Sequence, residues 1–405
     1  MKNNKKIKVS LFIPVLPDIT GIILELEWFK ILTMQKDIEA EIITPTINPE
    51  PITNITIQVV KKGVLFPIHY IKMIQSGSPD IIHFEYILGL YGDSTNYFLK
   101  SLQSVYYLLS ALIVGRILNR KIILSLHKVI IDYPGLVTSD YKIIQILSSL
   151  VFRFTNHILS ILSDKIVVFT ESGQIKLSNL LRVKNKVELM PLPSASDNFE
   201  KLKHVKFTFI YYGFIKPNKG LLCLLNAFSR LNLDNKLVKL IVAGGIDPSD
   251  NTNKNNSFYE EVAKKISEIK EQFADIESHL NVVSENQLKE LMAVSDVVLL
   301  PYTDNYLEGS GVASKLLSAG RPLICSNIPR FELFIKNGCA LSIMPNNEND
   351  LYEKMKLIIQ DKELYTKISE NCISLSQEYS SRKISEKYLK IYKNLLIKRS
   401  YDYDL

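Results

Sequence analysis

The chain has 405 residues, 46% hydrophobic and 22% charged, with a formal net charge of +7. That balance belongs to a globular protein of two or three domains and excludes a disordered, collagen-like or disulfide-framed chain. The four cysteines (Cys223, Cys325, Cys339, Cys372) show no C-x-x-C spacing and no histidine at metal-ligand spacing, so they read as reduced core thiols of a cytoplasmic protein.

The charge is uneven. Residues 1–195 carry 21 Lys and Arg against 15 Asp and Glu, a net +6, and the rest of the chain carries the remaining +1. A basic first half suits contact with anionic lipid or nucleic acid, or is simply solvated charge with no partner. The absence of an arginine-rich run or an aromatic ladder speaks against nucleic acid as a partner.

Strands and helices alternate from the start. The opening M-K-N-N-K-K-I-K-V-S-L-F-I-P-V-L-P has the basic head of an export signal, but its apolar run of about nine residues contains Pro14, so Lys8–Leu16 reads as a first strand. A loop with Gly21 follows, then a helix over Ile22–Met34 that contains Trp28. Further strands are expected at Glu41–Thr44, Thr56–Val60, Pro79–Phe84, Lys121–His127, Lys165–Thr170 and Val187–Met190. Ser104–Leu118 is almost wholly apolar, yet at about fifteen residues it is short of the roughly twenty a spanning helix needs. It is expected as a buried or membrane-facing helix, and Ile143–Leu162 is similar in character. Alternation of this kind predicts a doubly wound parallel sheet. Ser194–His204 reads as the linker to a second such unit.

Phe207–Tyr212 is a run of aromatic and β-branched residues that suits a buried strand, ended by Gly213. Pro217, Asn218 and Gly220 make a turn, and Leu221, Leu224, Leu225 and Phe228 share one face of a helix. Lys219 therefore stands where a strand has ended and a helix begins, a place that already favours anions. The same arrangement recurs later: the strand Val297–Pro301, the polar loop Tyr302–Gly309, and a helix opened by Ser310, Gly311 and Val312. In a parallel sheet both helix starts would face the ligand crevice at the strands' carboxyl ends.

The stretches Y-G-F-I-K-P-N-K-G-L-L-C-L-L-N-A-F, L-I-V-A-G-G, N-V-V-S-E-N-Q-L-K-E-L-M-A-V-S-D-V-V-L-L-P-Y and S-G-V-A-S-K-L-L-S-A-G-R-P-L-I-C-S occur in that order. Together they resemble the donor half of a GT-B glycosyltransferase, and more narrowly the retaining glycosyltransferase family 4. The likeness is dense over Phe207–Ile343. It implies an α/β GT-B fold of two doubly wound, Rossmann-like units with a crevice between them. The acceptor-binding domain would be residues 1–193 completed by a C-terminal helix over 384–400, and the donor-binding domain residues 206–383. The activity implied is retaining transfer of a sugar from a nucleotide-sugar donor to a glycan or lipid-linked acceptor, without metal or other cofactor. The setting implied is bacterial surface polysaccharide assembly, in the cytoplasm or at the inner face of the cell membrane.

The resemblance assigns Lys219 to the diphosphate and His127, at the end of K-I-I-L-S-L-H, to the transferred sugar. Gly21 and Gly213 fall on glycine-bearing phosphate loops. Gly244 and Val283 fall at strand ends that pass the base, and Ser310, Gly311 and Val312 fall at the second helix start. Phe214 stands where an arginine is common, with Lys216 nearby. Of two glutamates frequent around the second helix, the matching positions hold Leu307 and Lys315. Glu308 is one residue from the first and is the candidate for its role. His83 is expected to be structural. Two rival functions accompany this one: a GT-B nucleotide-sugar epimerase, which would need a pair of acid/base carboxylates, and a non-catalytic GT-B partner protein.

Overall fold

The computed structural model describes residues 6–15, 23–86, 97–129, 153–196, 199–234, 237–247, 253–273 and 275–401. The chain divides into two units, one made of Met1–Leu192, Leu307–Gly309 and Ser381–Leu405 and the other of Pro193–Tyr306 and Ser310–Ser380.

In the first unit the strands are β1 (Ile7–Phe12), β2 (Ile38–Thr44), β3 (Thr56–Val59), β4 (Ile81–Tyr86), β5 (Lys121–Leu126), β7 (Lys165–Val168) and β8 (Val187–Leu189). They form one sheet in the order β3-β2-β1-β4-β5-β7-β8, and every neighbouring pair is parallel. The order reverses between β1 and β4, which makes their carboxyl ends the switch point where open sheets take ligands.

Period-two alternation sorts β4 onto two faces. Ile82 and Phe84 join Phe12, Phe66 and Tyr70 in an apolar layer, with α2 (Phe66–Gly77) and α3 (Tyr97–Ile117) lying over it. His83 and Glu85 point the other way, against α1 (Ile23–Thr33) and the chain's last helix, α13 (Ser381–Tyr401). Trp28 of α1 stacks on Tyr388 of α13 with ring centroids 4.1 Å apart. Among the described residues the unit has two further helices: α4, described over residues 153–162, and α5 (Glu171–Leu181), capped by Thr170 Oγ1 accepting from Gly173 N.

The apolar stretch expected from Ser104 belongs to α3, whose Tyr107, Leu108, Ala111 and Leu112 are buried while Leu102, Ile113 and Ile117 are exposed. No helix among the described residues is long and apolar enough to cross a membrane. Of the similar stretch from Ile143, residues 143–152 lie outside the described residues, and Phe154 and Ile161 of the described part are exposed.

The polar loop expected over Tyr302–Gly309 contains a strand that local pattern did not reveal. Leu307–Glu308 (β13) pairs antiparallel with Lys128–Val129 (β6), which puts Glu308 opposite Lys128, one residue beyond His127.

The second unit has a six-stranded, all-parallel sheet in the order β11-β10-β9-β12-β14-β15. Its strands are β9 (Phe207–Tyr212), β10 (Val238–Ala243), β11 (Ile276–His279), β12 (Val297–Leu300), β14 (Leu323–Ser326) and β15 (Ala340–Ile343). Helices α6 (Leu221–Asp234), α7 (Asn253–Phe273), α8 (Glu285–Ala293), α9 (Gly311–Leu317), α10 (Glu332–Lys336), α11 (Glu348–Gln360) and α12 (Lys362–Glu378) cover it. The switch point lies between β9 and β12. All four cysteines are buried and unbridged in this unit.

Candidate functional site

In the second unit the site is built at the carboxyl ends of β9, β10 and β12. Gly213 closes β9 at φ +142°, and Gly244 closes β10 at φ +145°. The two backbones nearly touch: a Cβ on Gly244 would lie 2.0 Å from the Gly213 carbonyl oxygen. Only glycine permits that approach with that φ. A Cβ on Gly213 would meet the Tyr302 hydroxyl at 3.6 Å and Val312 Cγ2 at 3.8 Å, so the end of β9 faces the start of α9.

The turn after Gly213 is tied at several points. Tyr211 donates its hydroxyl to the Phe214 carbonyl at 2.8 Å, and Ile215 N donates to Gly245 O at 2.9 Å. Gly220 ends the turn at φ +68°, packed against the Pro301 carbonyl. Asn218 O accepts from Thr303 N at 3.0 Å, while its side-chain amide donates to Asp304 Oδ2 at 2.8 Å. Arg330 Nη2 donates to the other Asp304 oxygen at 2.8 Å. Asp304 thus clamps the Lys219 turn to the segment after β14, and both members of its ion pair are buried. The Lys219 ammonium lies 3.6 Å from the centre of the Tyr302 ring, a cation–π contact that holds it beside Gly213.

At the start of α9, Ser310 Oγ accepts from Ala313 N at 3.2 Å. The N–H groups of Gly311 and Val312 have no partner among the described residues. Lys216 is paired with Asp247 at 2.7 Å, so its charge is neutralised locally. Lys315 pairs with Glu285 at the start of α8. Val283 is half-buried in the loop before that helix. The second unit therefore brings together Lys219, Gly213, Gly244 and Val312, with Ser310 and Gly311 at the same helix start.

His127 and Glu308 belong to the first unit, and Gly21 lies outside the described residues. His127 follows the last residue of β5, its backbone N–H donating to Tyr86 O at 3.1 Å. Its Nε2 lies 2.8 Å from Glu85 Oε2 and its Nδ1 3.7 Å from Glu25 Oε1. Burial alone would lower the His127 pKa, but the hydrogen bond to Glu85 and the charges of Glu25, Glu85 and Glu308 outweigh it and raise it. Burial pushes the Glu25 carboxyl up to about 7 against the opposing pull of His127.

His83 shares Glu85 yet behaves differently. Its ring nitrogens lie 2.7 Å from the hydroxyls of Ser125 and Tyr392, and burial takes its pKa down to about 4, so it stays neutral. Glu25 and Glu85 have a signature in the sequence. Each is a carboxylate inside an apolar run, I-L-E-L-E-W-F and I-I-H-F-E-Y, and a charge in such a run is rarely buried without a partner. Among the described residues no group of three or more His, Cys, Asp or Glu side chains could hold a metal ion.

Residues 195–374 match the family described as Glycosyl transferases group 1. No curated protein matches the sequence. Among solved structures, the chain is similar to a glycosyltransferase from Rickettsia africae, at a TM-score of 0.69 and 17% identity over 96% of this chain and 99% of that one. It is similar to the Anabaena protein HepE solved with UDP and glucose, at a TM-score of 0.70 and 13% identity over 96% and 99% of the two chains. Sucrose-phosphate synthase from Thermosynechococcus elongatus gives a TM-score of 0.70 and 13% identity over 97% and 100%. At such identities the likeness is one of fold, and the fold is GT-B.

Proposed function

We propose that this chain, whose second unit carries a glycosyl transferases group 1 domain, moves a sugar from a nucleotide-sugar to a glycan or lipid-linked acceptor with retention of anomeric configuration. The observation that carries this reading is the Lys219 ammonium held over Tyr302 beside Gly213 and the start of α9. In the transfer, the bond from the anomeric carbon to the diphosphate breaks and its electron pair leaves with the phosphate. An acceptor hydroxyl forms the new bond and gives up its proton to the departing phosphate oxygen. A positive charge fixed in advance at the leaving group lowers the barrier to this charge separation. Lys219 and the open N–H groups of Gly311 and Val312 are the groups for that task, so the reaction proceeds without a divalent metal and survives EDTA. His127 is assigned to the sugar. Glu308, whose charge helps raise the His127 pKa, is assigned to holding that histidine's charge. Gly244 and Val283 are assigned to the face on which the base lies. Surface polysaccharide assembly on a lipid carrier is the setting that the basic first half and the exposed apolar residues of α3 support.

UDP-glucose and UDP, which the Anabaena protein carries in its crystals, are the first ligands to test. In a thermal-shift screen of UDP-glucose with UDP, GDP, ADP and CMP, a ligand at a hundred times its Kd adds roughly 2.7 kcal/mol of stability. A rise with one base and none with the others supports the reading, and no rise with any of them overturns it. The buried carboxylates Glu25 and Glu85 beside His127 favour a second reading, a nucleotide-sugar epimerase. Proton NMR of the sugar after incubation with donor alone separates the two, since only an epimerase returns an inverted stereocentre.

A further inference from the structure

The turn that carries Lys219 has no apolar anchor of its own: none of the three residues of its single helical turn, Pro217–Lys219, is buried. Its position depends on Asn218, whose backbone carbonyl accepts from Thr303 N at 3.0 Å and whose side-chain amide donates to Asp304 Oδ2 at 2.8 Å. Asp304 accepts in turn from Arg330 Nη2 at 2.8 Å, and the Arg330 and Asp304 side chains are only 8% and 5% exposed. A charge pair so buried gains little net stability, because taking both ions out of water offsets most of their attraction. What it supplies is a fixed geometry. The single helical turn Pro329–Phe331 that carries Arg330 also packs on the aromatic ring under Lys219. The Arg330 guanidinium carbon lies 5.4 Å and the Phe331 ring centre 5.2 Å from the centre of the Tyr302 ring, and the Lys219 ammonium lies 3.6 Å from the same point.

We propose that Asp304 and Arg330 are positioning residues for Lys219, fixing its turn through Asn218 and its ammonium through the Tyr302 ring, so that the charge is in place before a nucleoside diphosphate arrives. The proposal rests on the nucleotide-sugar reading above. A lysine stem is long and flexible, and a ligand that has to order it gives up affinity to do so. A charge ordered in advance costs no such reorganisation. Tyr302 follows β12 and Arg330 follows β14, which are paired neighbours in the sheet, so the ring and the guanidinium move with one rigid element. The Asp304 carboxylate offsets the Arg330 charge, so a second cation on the same ring does not drive Lys219 away.

The test has one readout without ligand and one with it, both in the full chain. Lysine is labelled with carbon-13 at Cε, and Lys219 is assigned by loss of its signal in Lys219→Ala. An ammonium over a ring places its Cε protons in the ring's shielding cone, so in the wild type they resonate upfield of the other lysines. Asp304→Asn and Arg330→Met each return them towards the ordinary lysine position, and Arg330→Lys, which keeps the charge pair, returns them less. A Lys219 signal that is not upfield in the wild type overturns the proposal, and so does one that ignores both variants. If neither variant folds, Asn218→Ala, in the turn without buried residues, decides by the same signal. Calorimetry with UDP supplies the second readout. Asp304→Asn weakens UDP roughly tenfold in the wild-type background and changes little once Lys219→Ala is present, the non-additivity expected of residues in one network. The same loss in both backgrounds means a general defect of the unit and overturns the positioning role. If the wild type binds no UDP while the Lys219 signal moves as expected, the UDP-sugar donor fails and the positioning stands.

Discussion

Lys219 and Glu25 show how differently a charge is treated in the two units. Lys219 keeps its ammonium on an aromatic face beside Gly213. The role proposed for it on the phosphates predicts that Lys219→Ala weakens binding of the cognate nucleoside diphosphate roughly ten- to a hundredfold, the equivalent of about 1.5–3 kcal/mol. Isothermal titration calorimetry measures this, and an unchanged Kd removes Lys219 from the site. Glu25 is penalised by burial instead, its pKa raised from 4.5 to about 7. The fold therefore favours the protonated carboxyl. That contribution is complete below the unfolded value and is lost as pH rises through about 7. Replacing Glu25 by Gln should remove the loss, worth up to about 3 kcal/mol for a shift of this size. Melting temperatures of wild type and Glu25→Gln should then diverge in favour of the variant as pH rises from about 4.5 to about 7, run parallel above that, and diverge little below about pH 4. Parallel curves across the whole range would mean that Glu25 is ionised in the fold without penalty.

The element that organises the second unit is the turn between β9 and α6. Its construction is largely local, which is why it was legible in the sequence. Gly213 and Gly220 adopt backbone conformations that other residues resist, and Pro217 fixes the entry to a single helical turn over Pro217–Lys219. The clamp that holds the turn was not legible. Asp304 and Arg330 lie far along the chain, and nothing in their neighbours marks them as partners of Asn218. The same holds for β13: two residues inside a polar loop carry no period, and they become a strand only because β6 offers a ladder. A methyl on Gly220 would lie 1.9 Å from the Pro301 carbonyl oxygen at a φ of +68°. Gly220→Ala should therefore cost about 3 kcal/mol or more in the second unit, as strain and clash combine. Urea denaturation followed by far-UV circular dichroism reads the cost, and a change under about 0.5 kcal/mol would show that the turn relaxes freely.

At the scale of the whole molecule the chain crosses from the second unit back to the first, and α13 closes the face of the sheet that carries His83 and Glu85. Trp28 is the protein's single tryptophan, and it is buried against Tyr388. Its fluorescence is consequently a reporter of the first unit alone. Tyr388→Ala should destabilise that unit by about 3–5 kcal/mol, the range for deleting a buried aromatic ring, and shift Trp28 emission to the red. Emission identical to wild type would mean that α13 does not seal the tryptophan. The basic balance of residues 1–195 and the exposed apolar residues of α3 bear on the acceptor. Each lysine or arginine near an anionic surface contributes about 1 kcal/mol, and salt screens it. The full chain is expected to pellet with anionic vesicles at low salt, to be released at high salt, and to ignore neutral vesicles. Retention in the supernatant at low salt would point to a soluble acceptor.

Fold class, the alternation of strand and helix, and the glycine and lysine positions around the β9 turn could all be read from order and spacing. Each depends on contacts a few residues apart, where backbone stereochemistry and hydrophobic period decide the outcome. The partners of His127 could not be read that way. Glu25, Glu85 and Glu308 come from α1, β4 and β13, and each carboxylate is by itself one acidic residue among many. Their proximity to one imidazole is a product of strand order and helix return. So is the fate of their protons, because desolvation and neighbouring charge exist only once the sheet has assembled.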